Sequence, residues 1–311
     1  MSEQTNNSEY ENYYVPEKSK LPFIGSIGLF FTAVGAGSSI NGAAFWGLPG
    51  YIWLIAGIAI LVGMLSTWWK YTIKESMSGL YSAQMSRSFR QGMMWFITSE
   101  VMFFFAFFGA LFYIRAFVLP LLGGDFNGGS THDQLFPDYT PTWPMTETPS
   151  PDFAPNVGIG EKAANPGSWN IIGAWGLPAI NTAILLTSSW TLTIAHHALL
   201  EKNRSTLILF TSITAFLGII FLGLQAVEYY EAYTHYGLTL QSGVYGSTFF
   251  LLTGFHGMHV LIGTIFLIVL SLRTAKGHFT PQDHFAYEAG AWYWHFVDVV
   301  WVFLFIFVYM M

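Results

Sequence analysis

The chain has no cysteine, which excludes disulfides, thiolate metal sites and covalently attached haem. Charge is also scarce: Asp, Glu, Lys and Arg make up 10% of 311 residues, where a soluble domain carries about 25%. The net charge is −6, and no basic patch interleaves with aromatics in a soluble segment, which argues against nucleic acid as a partner. The first twenty residues lack the charged-then-apolar order of a cleaved signal peptide, so the first apolar stretch is expected to stay as a membrane span. No targeting signal, fixed repeat or soluble domain is visible.

What the sequence does have is apolar length. Hydrophobic residues fill 53% of positions and aromatics 18%, and the mean hydropathy is positive. Crossing the hydrocarbon core takes about 20 residues at roughly 1.5 Å rise. Seven segments qualify: Pro22–Ile40, Leu48–Trp69, Gln91–Val118, Pro178–Leu199, Ser205–Tyr229, Gly243–Leu272 and Phe285–Met311. Each is expected to be helical, because lipid offers the backbone no hydrogen-bond partner and the strict alternation of a barrel strand is missing. The fold class is therefore an all-α integral membrane protein. Its expected organisation is an N-terminal tail (1–21), helices one and two (22–69), a polar segment (70–90), helix three (91–118), a long loop (119–177) and helices four to seven (178–311).

The basic residues orient the chain. Ten of the twelve, namely Lys18, Lys20, Lys70, Lys74, Arg87, Arg90, Lys202, Arg204, Arg273 and Lys276, fall on one side of these segments. Arg115 and Lys162 fall toward the other side, whose long loop carries Asp125, Asp133, Asp138, Glu147, Asp152 and Glu161. The positive-inside rule then places the N-terminus inside and the C-terminus outside, as seven crossings require. The outside loop is rich in Pro, Gly, Thr and Asp, and a loop of this length is usually functional or disordered; contact with a partner is its expected role.

Ionisable residues at membrane depth call for a reason. Glu100 lies ten residues past Arg90, roughly 15 Å deep by helical rise. A carboxyl there either handles protons or meets lipid, or it is a neutral acid hydrogen-bonded to another helix, and the residues alone leave these open. The histidines His196, His197, His256, His259 and His295, the last with Asp298 three residues on, invite a metal or haem reading. They lack the Glu-x-x-His spacing of a helical di-metal site, and interhelical hydrogen bonding is the commoner use. Glu228 and Glu231, and Asp283, His284 and Glu288, read as rims near the interfaces. Trp292 and Trp294 suit an interfacial belt or helix packing, and Gly254, Gly257 and Gly263 are expected to admit close helix approach. Lys70, Lys74, Arg273 and Lys276, with His278, sit at headgroup depth beside Trp68 and Trp69. Such clusters bind anionic lipid, although positive-inside topology alone would also put basic residues there.

The motifs IKES, RQGMMWFITSEVMFFFAFF, NTAILL, AHHAL, LQAVEYYEA, GVYGSTFFLLTGFHGMHVLIG and EAGAWYWHFVDVVWVFLF, in this order from about Trp68 to the C-terminus, closely resemble subunit III of cytochrome c oxidase, a haem-copper oxidase. The resemblance implies a two-plus-five helix arrangement with a lipid-filled cleft, and a non-redox accessory subunit packed on oxidase subunits I and II. Haem and copper would lie in those partners, leaving this chain with structural phospholipids only. It also implies that Glu100 is the family's carbodiimide-reactive, proton-accessible carboxyl. Cleft lipids would be held by Trp68, Trp69, Lys74, Glu75 and His259, and an anionic headgroup by Arg273, Lys276, His278 and Thr280. Two positions depart from the family pattern: Tyr81 or Ser82 stands where a histidine is common, and Gly109 where a tryptophan often follows the third helix's FF. The long outside loop favours a bacterial plasma membrane.

The function expected is thus stabilisation of a proton-pumping oxidase, lipid retention and proton uptake. Subunit III of a quinol oxidase is one alternative, although that form generally lacks the first two helices. An independent proton or ion carrier built on Glu100 and the buried histidines is another.

Overall fold

A backbone in lipid must satisfy its own N–H and C=O groups, and every long apolar stretch here does so as a helix. The computed structural model describes residues 14–16, 18–153 and 168–311; most of the N-terminal tail, and Glu161 and Lys162 of the loop, lie outside them. Among the described residues seven helices are long and apolar enough to cross a membrane: α1 (Leu21–Ile40), α2 (Gly50–Met77), α3 (Ala83–Leu122), α4 (Leu177–Leu200), α5 (Arg204–Thr234), α6 (Gly243–Ala275) and α7 (Phe285–Met310).

The ends follow local chemistry. Pro22 and Pro178 sit in the first turns of α1 and α4, where a missing N–H is harmless, and the Asn203 side chain accepts from Thr206 N at 3.2 Å to cap α5. The segment expected as polar and non-spanning, 70–90, is mostly helix. α2 runs on to Met77 and α3 begins at Ala83, so only residues 78–82 turn, with Gly79 at φ +68°. Lys70, Lys74 and Glu75 therefore continue the helix of the second span. α3 likewise passes its expected end: Pro120 has no N–H for the carbonyl of Ala116, and the helix crosses this point through a π turn at Ile114–Val118 before ending at Leu122.

The chain divides into two units, Met1–Gln91 and Gly92–Met311. In the first, α1 and α2 meet along a glycine seam. A Cβ on Gly57 would stand 2.4 Å from the backbone nitrogen of Thr32, and one on Gly35 2.2 Å from that of Leu54, so these backbones touch. The α1–α2 connection is a two-residue hairpin, Ala44–Phe45 against Leu48–Pro49, with Trp46 and Gly47 both at positive φ. Trp53 of α2 donates to the Phe45 carbonyl at 2.8 Å and fastens the hairpin to the helix.

The second unit packs α4–α7 and the rest of α3 around Trp294 and Trp301, both fully buried. Each indole donates across helices, Trp294 to Ser188 Oγ and Trp301 to Thr182 Oγ1, both at 2.9 Å. Thr191 pairs with Thr214, and Thr211 with Tyr287, at 2.8 Å each. Of the three α6 glycines expected to admit close approach only Gly263 does so, its missing Cβ making room for the Trp294 ring 2.9 Å away. Gly257 faces open space and Gly254 meets only the Tyr229 hydroxyl at 3.5 Å, so glycine spacing alone overstated the contact.

The long loop between α3 and α4 is partly built into this unit. It forms a short helix, Gly129–Leu135, and buries Met145, Trp169, Ile172 and Ala174 in the same core as the helices. Trp169 N donates to Thr146 O at 3.0 Å, and Asn170 N to Tyr236 O at 2.9 Å.

The seam gives a test. Gly57→Val should destabilise the protein by about 1–3 kcal/mol through overpacking, read as an earlier unfolding midpoint in a detergent titration. Gly63→Ala, whose added carbon meets nothing within 4 Å, should leave the midpoint in place.

Candidate functional site

Glu100 is half-buried in α3, one turn before the run Phe103, Phe104 and Phe105. Its partner is His259 of α6, whose Nε2 lies 2.9 Å from Glu100 Oε2. The other ring nitrogen of His259, Nδ1, lies 2.7 Å from the Phe255 carbonyl. Phe104, at 5.1 Å between ring centres, and Tyr293 and Phe296 of α7, both at 6.4 Å, enclose the imidazole. The residues alone left Glu100 open between proton handling, lipid contact and a helix-to-helix hydrogen bond, and the geometry supplies the third.

The carbonyl decides the protonation of the pair. A carbonyl only accepts, so Nδ1 must carry its hydrogen. Nε2 then faces Glu100 either bare, with the carboxylic acid donating, or protonated, with the carboxylate accepting. A bare nitrogen facing a bare carboxylate would put two acceptors 2.9 Å apart, and that combination is excluded. An imidazolium facing a carboxylic acid would leave a net charge at membrane depth, which is costly, so Glu100 and His259 hold one proton between them and carry no net charge as a pair. Both ring nitrogens of His259 have partners inside the protein.

The other histidines also meet protein groups. His256 Nε2 donates to the Val297 carbonyl at 3.1 Å, and His295 Nδ1 lies 2.7 Å from Ser189 Oγ and 3.7 Å from Asp298. His197 Nδ1 donates to the Thr193 carbonyl at 2.8 Å, and the His196 ring lies tilted against those of His284 and Tyr287, 5.8 and 5.9 Å between centres. Among the described residues no three His, Asp or Glu side chains converge as metal ligands. Glu228, expected at a solvated rim, is instead buried and accepts from the Tyr309 hydroxyl at 2.5 Å. Nothing in the sequence paired these positions, 81 apart.

In the first unit, Trp68, Trp69 and Lys74 are exposed, while Glu75 is half-buried. Glu75 accepts from the Tyr81 hydroxyl at 2.9 Å and from Tyr14 at 3.3 Å. Burial, and then the bond to Glu75, push the Tyr81 hydroxyl well above its ordinary value, so it stays a donor. Tyr81 thus gives Glu75 a partner of its own.

In the second unit, Arg273, Lys276, His278 and Thr280 gather where α6 ends. The Arg273 guanidinium lies 4.5 Å from the centre of the Phe279 ring, and His278 N donates to Arg273 O at 3.1 Å. Thr280 Oγ1 accepts from Asp283 N at 3.0 Å, which fixes the turn. Arg204 of α5, read from sequence only as a topological charge, joins this group by donating to the Ala275 carbonyl at 2.8 Å.

A double-mutant cycle tests the central pair. Glu100→Leu and His259→Leu should each lower the thermal stability of the intact protein, because each strands a polar group, and the two together should lose less than the sum by on the order of 1 kcal/mol. Strictly additive losses would show that the contact carries no coupling.

The family model for cytochrome c oxidase subunit III matches residues 11–126 and 150–311. Relatives named cytochrome c oxidase subunit 3 include that of Marchantia polymorpha, 37% identical over 303 residues with 97% of each chain covered. Those of Formosania lacustris and Latimeria chalumnae are each 38% identical, over 300 and 299 residues, covering 96% of each chain. The stretch left out inside the family match, 127–149, lies in the long loop between α3 and α4. With seven spans and a likeness that runs the length of the molecule, the chain belongs to the cytochrome c oxidase subunit III family.

Proposed function

We propose that this chain is the non-redox accessory subunit of a proton-pumping cytochrome c oxidase. It packs on subunits I and II, which hold the haems and copper, stabilises the catalytic subunit, retains phospholipid and supports proton uptake from the inside surface. The observation that carries this reading is the full-length likeness to proteins named cytochrome c oxidase subunit 3, which takes in α1 and α2 and so favours cytochrome c over quinol as the donor. The Glu100–His259 pair supports it, since a carboxyl with one shared proton suits a site that exchanges protons without redox chemistry.

The chain is a multi-pass membrane protein. The N-terminus lies inside and the C-terminus outside on the strength of the basic residues, ten of twelve on one side. We infer a bacterial plasma membrane from the length of the loop alone, of which the family model leaves 127–149 unmatched; the relatives named above are those of a plant and two fishes.

Lipid is held in two places. In the first unit Trp68, Trp69 and Lys74 offer aromatic and cationic contacts, with Glu75 positioned by Tyr81 and Tyr14. In the second, Arg273, Lys276, His278 and Thr280 receive an anionic headgroup, with Arg204 adjoining. Burial, and then the neighbouring cations Arg273 and Lys276, hold the His278 imidazole below its ordinary value, so it is neutral at pH 7. Lowering the pH adds its charge to the site. Retention of phosphatidylglycerol by the purified oxidase should therefore strengthen as pH falls from 7 to below the ordinary imidazole value of about 6.5, and His278→Gln should flatten that dependence.

The function itself is tested by removing the chain from the oxidase. The remaining enzyme should still reduce oxygen, but take up protons more slowly at high pH and inactivate during turnover. Simultaneous loss of haem and of all activity would contradict the accessory role.

A further inference from the structure

Within the second unit, α3 and α7 run in the same direction, as the ring pairs Phe96–Tyr293, Phe104–Phe296 and Phe108–Phe303 require. They enclose a groove of about 800 Å³ between them. Its lining is apolar from Val101 to Ala116 on one wall and from Phe296 to Phe307 on the other, with a single charged side chain, Arg115. A Cβ on Gly109, midway along, would meet no atom within 4 Å, so the groove is open at its centre.

Arg115 needs an anion. It sits in the π turn of α3, half-buried, and its guanidinium carbon lies 5.5 Å from the centre of the Trp143 ring. It is 25 residues past Arg90, about 37 Å by helical rise, whereas the hydrocarbon core is about 30 Å thick. With Arg90 at one headgroup layer, Arg115 stands at the other, on the side of the long loop. A cation at that level, unpaired with any acid among the described residues and opening onto an apolar channel, matches one kind of molecule: a phosphate above and a hydrocarbon chain below.

We propose that this groove binds an anionic phospholipid of the leaflet on the long-loop side, its phosphate on Arg115 and one acyl chain lying past Gly109. From Arg115 to Val101 the groove is about 21 Å long, which exceeds the depth of one leaflet, about 15 Å. The chain end therefore reaches Phe104 and Phe296, two of the rings that enclose His259. Filling the groove shields the Glu100–His259 pair from water on that side. The site is separate from the lipid positions given above, and it stands whether or not those hold lipid.

The test uses the intact oxidase, purified in mild detergent and exchanged against phosphatidylglycerol vesicles, with retained lipids counted by native mass spectrometry. Wild type should hold an anionic phospholipid that Gly109→Trp loses, because the added ring occupies the middle of the groove. Arg115→Gln should hold it at least tenfold more weakly and Arg115→Lys should restore binding, while normal haem content confirms assembly of each variant. Arg273→Gln should leave this lipid in place. The proposal is overturned if Gly109→Trp and Arg115→Gln retain the same anionic lipid as wild type, or if the molecule displaced is a quinone or a zwitterionic lipid.

Discussion

A carboxyl group in the middle of a bilayer must find a hydrogen-bond partner, and for Glu100 that partner is one imidazole nitrogen. The Phe255 carbonyl, by requiring a hydrogen on the opposite nitrogen, limits the pair to one shared proton. From this follow its neutrality, its tolerance of apolar surroundings and the joining of α3 to α6. The aromatic rings of α3 and α7 then pack around a pair that carries no net charge.

The same constraint separates the two units in kind. In the first, α1 and α2 have little polar chemistry between them and are brought together by the absence of side chains at Gly35 and Gly57. In the second, the helices are joined by side-chain hydrogen bonds: Trp294 to Ser188, Trp301 to Thr182 and Thr211 to Tyr287. Each such bond is modest in a membrane, where the unfolded reference also finds partners, and their number matters more than any one. A unit held in this way offers fixed polar positions inside lipid, which is what a proton-bearing site needs. The glycine seam provides proximity alone.

Much of the fold was legible because the spans are a matter of length, and length is local. The ends were less so: α2 outran its apolar stretch because Lys70, Lys74 and Glu75 are good helix formers, and α3 outran its own because a π turn carries it past Pro120. Glu100 stood out at once as a charge at depth, yet its partner is 159 residues away, and no periodicity links the two. His259 stood out in the sequence as one of several histidines at depth, for which interhelical hydrogen bonding is the common use, but nothing singled it out as the partner of Glu100. Glycine spacing was a weak guide for the reverse reason, since Gly263 meets Trp294 but Gly257 meets nothing. Tyr81 was readable as a departure from the family, and only the geometry shows that it serves Glu75.

The most direct measurement is nitrogen NMR of the intact oxidase with its histidines isotopically labelled, the His259 signal being assigned by its loss in His259→Gln. The account predicts that Nδ1 of His259 is protonated, and that Nε2 senses the proton it shares with Glu100 and shifts when Glu100→Gln replaces the acid with an amide. A protonated Nε2 beside a bare Nδ1, unchanged by that substitution, would contradict it.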